Sequence, residues 1–152
     1  MRATALALPL AAILMLVLAA EVEGACSVSA SGVAFGTYDV FQATPTDSTG
    51  TITFRCGGQD KNILITISRG SSPTFNPRLL QTTSDVLLYN LYRDAALTQI
   101  WGDGGGGTTT YFNHNPQPND QDIVLPVFGR IPAGQDASVG VYSDTVVVTI
   151  EY

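Results

Sequence analysis

The chain has 152 residues, with 7 Lys+Arg against 13 Asp+Glu, a formal net charge of −6 and only 13% charged residues. The basic residues beyond Arg2 (Arg55, Lys61, Arg69, Arg78, Arg93 and Arg130) are scattered, so no patch exists to neutralise phosphates and nucleic acid is excluded as a partner. No basic amphipathic stretch is present to hold an anionic membrane surface.

Arg2 precedes an apolar run, Leu6 to Ala20, that contains no charged or polar side chain. This is the pattern of a secretory signal peptide, and the run is shorter than the roughly 18–20 residues a membrane-spanning helix needs. No later stretch is long and apolar enough, so stable membrane insertion is not expected. Cleavage after Ala19 or Ala20 divides the chain into a signal peptide (1–20), a short N-terminal segment (21–25) and one domain (26–152). The exported part carries six basic against thirteen acidic residues, a net charge of −7. Its length suits a single domain with a real core.

The two cysteines, Cys26 and Cys56, behind a signal peptide read as one disulfide closing a loop of about 30 residues. Two free buried thiols are the alternative. Lipidation of Cys26 is disfavoured by Glu23 three residues before it.

The periodicity that follows is mostly two. Thr51 to Cys56 alternates polar and apolar, as a half-buried strand does. Ile63 to Ile67, Val86 to Tyr92 and Ile123 to Phe128 read as further strands, with Pro126 marking an edge or a bulge. Val139 to Tyr152 reads as the longest. Asp94 to Leu97 suits one helical turn. Gly/Pro-rich breakers separate these runs, which indicates an all-β sandwich or barrel. In the last strand Val146, Val148, Ile150 and Tyr152 share one face, and Thr145, Val147, Thr149 and Glu151 share the other. None of the devices that blunt an exposed edge (Lys, Pro or a bulge) occurs between Thr145 and Tyr152. Pattern alone leaves open whether this strand is an unpaired edge or lies in the sheet centre.

An ordered series of short motifs narrows the choice. It runs Cys26-x-Val28, Val33-x-Phe35-Gly36-x-Tyr38 and Gly50-x-Ile52-x-Phe54-x-Cys56. It continues with Leu88-Tyr89-Asn90-Leu91-Tyr92-x-Asp94, Trp101-Gly102-Asp103-Gly104 and Phe128-Gly129-Arg130-Ile131-Pro132-Ala133-Gly134-Gln135. It ends with Gly140-x-Tyr142-x-Asp144-Thr145-Val146-x-Val148-Thr149-Ile150-x-Tyr152. The series resembles the spore coat protein U domain family, which includes the pilins of archaic chaperone–usher pili, and it covers Cys26 to Tyr152. The resemblance implies an immunoglobulin-like antiparallel sandwich that lacks its final strand. A periplasmic chaperone fills the gap first, and the N-terminal extension of a neighbouring pilin-like subunit then replaces it at the usher, by strand addition. It further implies that Val146, Val148, Ile150 and Tyr152 form the acceptor groove, and that the protein passes through the periplasm to the cell surface as part of a pilus or coat. One departure stands out. Only Glu21-Val22-Glu23-Gly24-Ala25 lie between Ala20 and Cys26, whereas a donated strand with its hinge needs on the order of 10–15 residues. The chain is therefore expected to accept a strand and not to donate one. Alternatives are an adhesive or surface-binding module at a fibre end, and a spore or cell-coat protein that does not polymerise.

No catalytic apparatus is legible. The one histidine, His114, sits in a polar Pro-rich loop, and no nucleophile elbow is present. One His and two paired Cys do not make a zinc site. Asp103 and the glycines after it lack the Gly-Lys-Ser/Thr of a phosphate loop and read as a hairpin tip. Asn119 to Asp122 lacks calcium-loop spacing and reads as a turn. No enzyme, cofactor or metal is expected. Most aromatics read as core, with Trp101 and Tyr111 kept as possible sugar contacts if exposed. The turns Val40-Phe41-Gln42 and Phe75-Asn76-Pro77 either cap the sandwich ends or present apolar surface.

Overall fold

The computed structural model describes residues 26–152. The signal-peptide reading of 1–20 and the segment 21–25 lie outside the described residues. These form eight strands and no helix: β1 (Ser27–Ser31), β2 (Thr46–Arg55), β3 (Ile63–Ile67), β4 (Arg78–Gln81), β5 (Val86–Tyr92), β6 (Tyr111–Asn113), β7 (Ile123–Ile131) and β8 (Val148–Glu151). All ladders are antiparallel. One sheet has the order β1-β2-β7-β5-β4 and the other β6-β3-β8.

The alternating side chains of the two inner faces make the core. Ile52 and Phe54 of β2, Ile63, Ile65 and Ile67 of β3, Leu87, Tyr89 and Leu91 of β5, and Val127 and Ile131 of β7 are all buried. Their period of two is why these segments are strands: each turns one β-branched or aromatic face inward and a polar face out. The Cys26–Cys56 disulfide is formed and joins the start of β1 to the residue after β2, next to the ladder pair Ser27↔Arg55.

β3 and β5 have the bounds read from the sequence, while β2 and β7 are longer than expected. β7 lies inside its sheet, yet β5 pairs with it only at Phe128, Gly129 and Arg130. At Pro126 the strand has β2 as its one neighbour, so the missing N–H costs no ladder bond toward β5. Asp94 to Leu97 is a turn and not a helical one. Its chain reverses at Leu97 with φ of 59°, and the Asp94 carboxylate takes the N–H groups of Thr98 and Gln99.

The largest departure is at the C-terminal strand. Regular strand covers only Val148–Glu151, not Val139 to Tyr152. The stretch before it crosses between the sheets. Ser143 pairs with Gln81 at the end of β4, on the edge of the five-stranded sheet, and Val147 then bonds Ser68 beyond β3 of the other. A segment that changes sheets cannot keep one ladder along its length.

Inside the sandwich Arg78 is fully buried. Its guanidinium donates to the carbonyls of Ser68 (3.1 Å) and Trp101 (2.6 Å) and to Asn90 Oδ1 (2.7 Å), and lies over the Phe75 ring. Burial pushes its pKa down, with the nearby Tyr89 and Asp144 opposing.

Candidate functional site

A groove opens where the two sheets fail to meet along one side. Beyond Ser31 the chain leaves the β1 ladder and lies across β2 and β7. Two glycines permit this. A Cβ on Gly50 would stand 2.7 Å from the Ser31 carbonyl oxygen, and one on Gly129 would stand 2.7 Å from both Val33 and Phe35. Val33 and Phe35 therefore turn inward, and Phe35 meets Tyr89 edge-on at 6.0 Å between ring centres. Gly36, with φ of 73°, bends the chain toward Tyr38, whose hydroxyl donates to the Pro132 carbonyl and accepts the Gln135 N–H.

The stretch from Ala137 to Val148 makes the facing wall. Between the walls runs a groove of about 830 Å³ that continues into a second hollow of about 340 Å³. Both parts share Val33, Phe35, Leu80 and Asp144, and core side chains such as Leu87, Ile131, Ile67 and Val127 form their floor.

Main-chain groups on both walls lack protein partners. Among the described residues β8 is an edge strand, paired with β3 alone. Among the described residues, the N–H groups of Val139 to Tyr142, Asp144 and Val146 have no protein acceptor, and no N–H from Val33 to Val40 reaches a backbone carbonyl. Backbone donors that do not pair within the chain are left for water or for another chain. Side chains on the second wall still alternate inward and outward: Asp144, Val146, Val148 and Ile150 are half-buried, while Ser143, Thr145, Val147 and Thr149 are exposed. Strand side-chain geometry thus extends beyond the hydrogen-bonded strand.

Val146, Val148 and Ile150 all pack against the core, and the first two line the groove. Tyr152 lies past the end of β8 and is 58% exposed. Sequence reasoning left out the opposite wall, Val33 to Val40, although its Val-x-Phe-Gly-x-Tyr spacing was visible. It also left out Asp144. That carboxylate sits on the wall, accepting the Ser71 N–H and hydroxyl on Oδ1 and the Tyr89 hydroxyl (2.7 Å) on Oδ2. Partial burial acts to raise its pKa, but the bonds from Tyr89 and Ser71 outweigh it and hold the group below the ordinary carboxylate range. Tyr89 is pushed upward, first by burial and then by Asp144.

Other candidates separate from this site. Trp101 is not an exposed sugar platform: it is 1% exposed, and its indole N–H donates to the Ile65 carbonyl. Tyr111 packs on Phe54. His114 is exposed, edge-on to Phe112 and 3.3 Å from Asn62. Of the two apolar turns, Phe75 covers Arg78, whereas Phe41 is 93% exposed.

Comparison with known proteins agrees with this architecture. The profile of the Spore Coat Protein U domain matches residues 12–149. Protein U of Myxococcus xanthus is 31% identical over 150 aligned residues, covering 88% of this chain and 80% of that protein. Among solved structures, the chain is similar to a chain of the CsuC–CsuE chaperone–tip adhesion subunit pre-assembly complex from the archaic chaperone-usher Csu pili of Acinetobacter baumannii. The TM-score is 0.56 at 23% identity, over 85% of this chain. The match spans 40% of the length of that structural relative, and the likeness is one of fold.

Proposed function

This chain belongs to the Spore Coat Protein U domain family, whose members are structural proteins and not enzymes, and we propose that it is an exported subunit of a surface pilus or coat that is completed by a β-strand from another chain. The observation that carries this reading is the groove between Val33–Val40 and Ala137–Val148, apolar on its floor and lined by unpaired main-chain donors. An inserted strand would gain ladder bonds along β8 and set alternate side chains into the groove. A periplasmic chaperone is the first occupant in this reading and a neighbouring pilin-like subunit the second, with an usher handling export. Cleavage behind the apolar leader leaves five residues before Cys26. On that basis the chain accepts a strand and does not donate one.

The test is co-purification from the periplasm of cells that also make the chaperone and neighbouring subunit. The wild-type chain is expected to carry a chaperone with it. Val148→Asp, which sets a carboxylate among apolar groove residues, is expected to lose that partner or fail to accumulate. Normal yield of Val148→Asp with its chaperone bound would refute the groove assignment.

One observation favours a second reading, an adhesive module at a fibre end. Phe41, adjoining the groove residue Val40, is almost wholly exposed. Loss of surface attachment in Phe41→Ser fibres of unchanged length would support it.

A further inference from the structure

We propose that the strand that fills the groove carries Lys or Arg on its outward positions, so that the groove selects against this chain's own N-terminal segment. The inference rests on the groove reading above and adds the chemistry of the occupant.

The groove's floor is apolar, but its walls bear charge of one sign. Asp39 and Asp144 are among the lining residues, and no Lys, Arg or His is. A third carboxylate, Asp85, stands directly behind the wall and is bonded to two groove residues, Ser138 and Tyr142. Asp39 and Asp85 are balanced only by neutral donors, Phe41 N–H on the first and Val86, Ser138 and Tyr142 on the second. Asp144 accepts from Ser71, Thr145 and Tyr89 and is offset in part by the buried Arg78 behind it, so Asp39, exposed on the opposite wall, carries most of the uncompensated charge.

The cations of the described residues are engaged elsewhere. Arg55 pairs with Asp122 and Arg130 with Asp47. Arg69 and Arg93 donate to the carbonyls of Pro73 and Thr110. Arg78 is held by Ser68, Asn90 and Trp101 and is wholly buried beneath the groove, where it acts on Asp144 but not on the rim. Lys61 lines neither part of the groove. A cleft with low-dielectric walls and one sign of charge concentrates its field on whatever enters.

An inserted strand turns every second side chain to the apolar floor and the others toward the rim. At the rim, Lys or Arg meets opposite charge and Glu or Asp meets like charge, which sets partner choice more than bulk affinity. Glu21-Val22-Glu23-Gly24-Ala25 carries two carboxylates and no cationic side chain. Copy-on-copy addition is therefore opposed by charge as well as by the length of the segment.

The experiment uses the purified secreted protein and two synthetic peptides of about 13 residues. They share one alternating Val/Ala inward pattern and differ only in having Lys or Glu at outward positions. At low salt the Lys peptide is expected to bind about 1.4- to fivefold more tightly per rim contact, the range of exposed ion pairs. The gap should close near about 0.5 M salt, where screening is short-ranged. Asp39→Asn keeps the oxygen that accepts the Phe41 N–H while removing the charge, and it should narrow the gap at low salt. Equal binding of the two peptides, or a preference indifferent to salt and to Asp39→Asn, overturns the charge selection and leaves the groove standing. Binding of neither peptide overturns the groove reading itself.

Discussion

Asp85 shows how much a single carboxylate can fasten. Its Oδ2 accepts the Ser138 N–H (2.8 Å), the Ser138 hydroxyl (2.5 Å) and the Tyr142 hydroxyl (3.1 Å), and its Oδ1 accepts the Val86 N–H (2.8 Å). The Ser138 hydroxyl, then the backbone donors of Ser138 and Val86, hold its pKa well below the ordinary aspartate value. A carboxylate depressed in the folded state stabilises fully above the unfolded pKa of about 4 and loses that contribution as pH falls through the folded value. Asp144, Asp47, Asp94 and Asp122 are shifted the same way. Stability is therefore expected to decline below about pH 4. Asp85→Asn should melt lower at neutral pH and show a shallower acid decline, so that the two proteins converge as pH drops. Parallel melting curves across the acid range would remove Asp85 from this role. Nothing in the sequence singled out Asp85, because its donors come from 53 and 57 residues away.

At the scale of the strand, legibility followed burial on the inner face. β3 and β5 are dense in branched and aromatic side chains, and their bounds were readable. The first half of β2, Thr46 to Gly50, is polar and becomes a strand through its pairing with β7, a contact no local pattern records. β4 and β6 have four and three residues and little alternation, so no local pattern marks them as strands. The C-terminal stretch erred the other way. Its alternation is real, but Ser143 and Val147 are tied to different sheets. The apolar floor on Val146 and Val148 was thus visible in the sequence, whereas the opposing wall at Val33 and Phe35 depends on space left by Gly50 and Gly129. The Cys26–Cys56 bond acts on the short edge strand β1, which has β2 as its one ladder partner. Closing a loop of this separation contributes about 3–4 kcal/mol on the loop-entropy model. Cys26→Ser is expected to lower the melting temperature and the secreted yield. Reduction of the wild type should reproduce the drop, and unchanged melting after reduction would contradict it.

For the molecule as a whole, the acceptor-only role proposed above predicts that the protein stays short of a polymer by itself. Purified protein incubated alone should remain free of fibres. A donor peptide should raise its melting temperature and protect the amides of Val139 to Val148 from hydrogen exchange, as new ladder bonds form there. Homopolymer growth without added peptide would refute the acceptor-only assignment.

Arg78 bears on how such a molecule survives with one side open. Its guanidinium takes hold of Ser68 after β3, Asn90 on β5 and the carbonyl of Trp101, whose own indole is anchored to β3. A partial parting of the layers that breaks these bonds while water is still excluded would leave an always-charged group unpaired, which is costly. This central tie is expected to couple the two layers, so that the open groove, on the proposed reading, can receive a strand without being the place where unravelling begins.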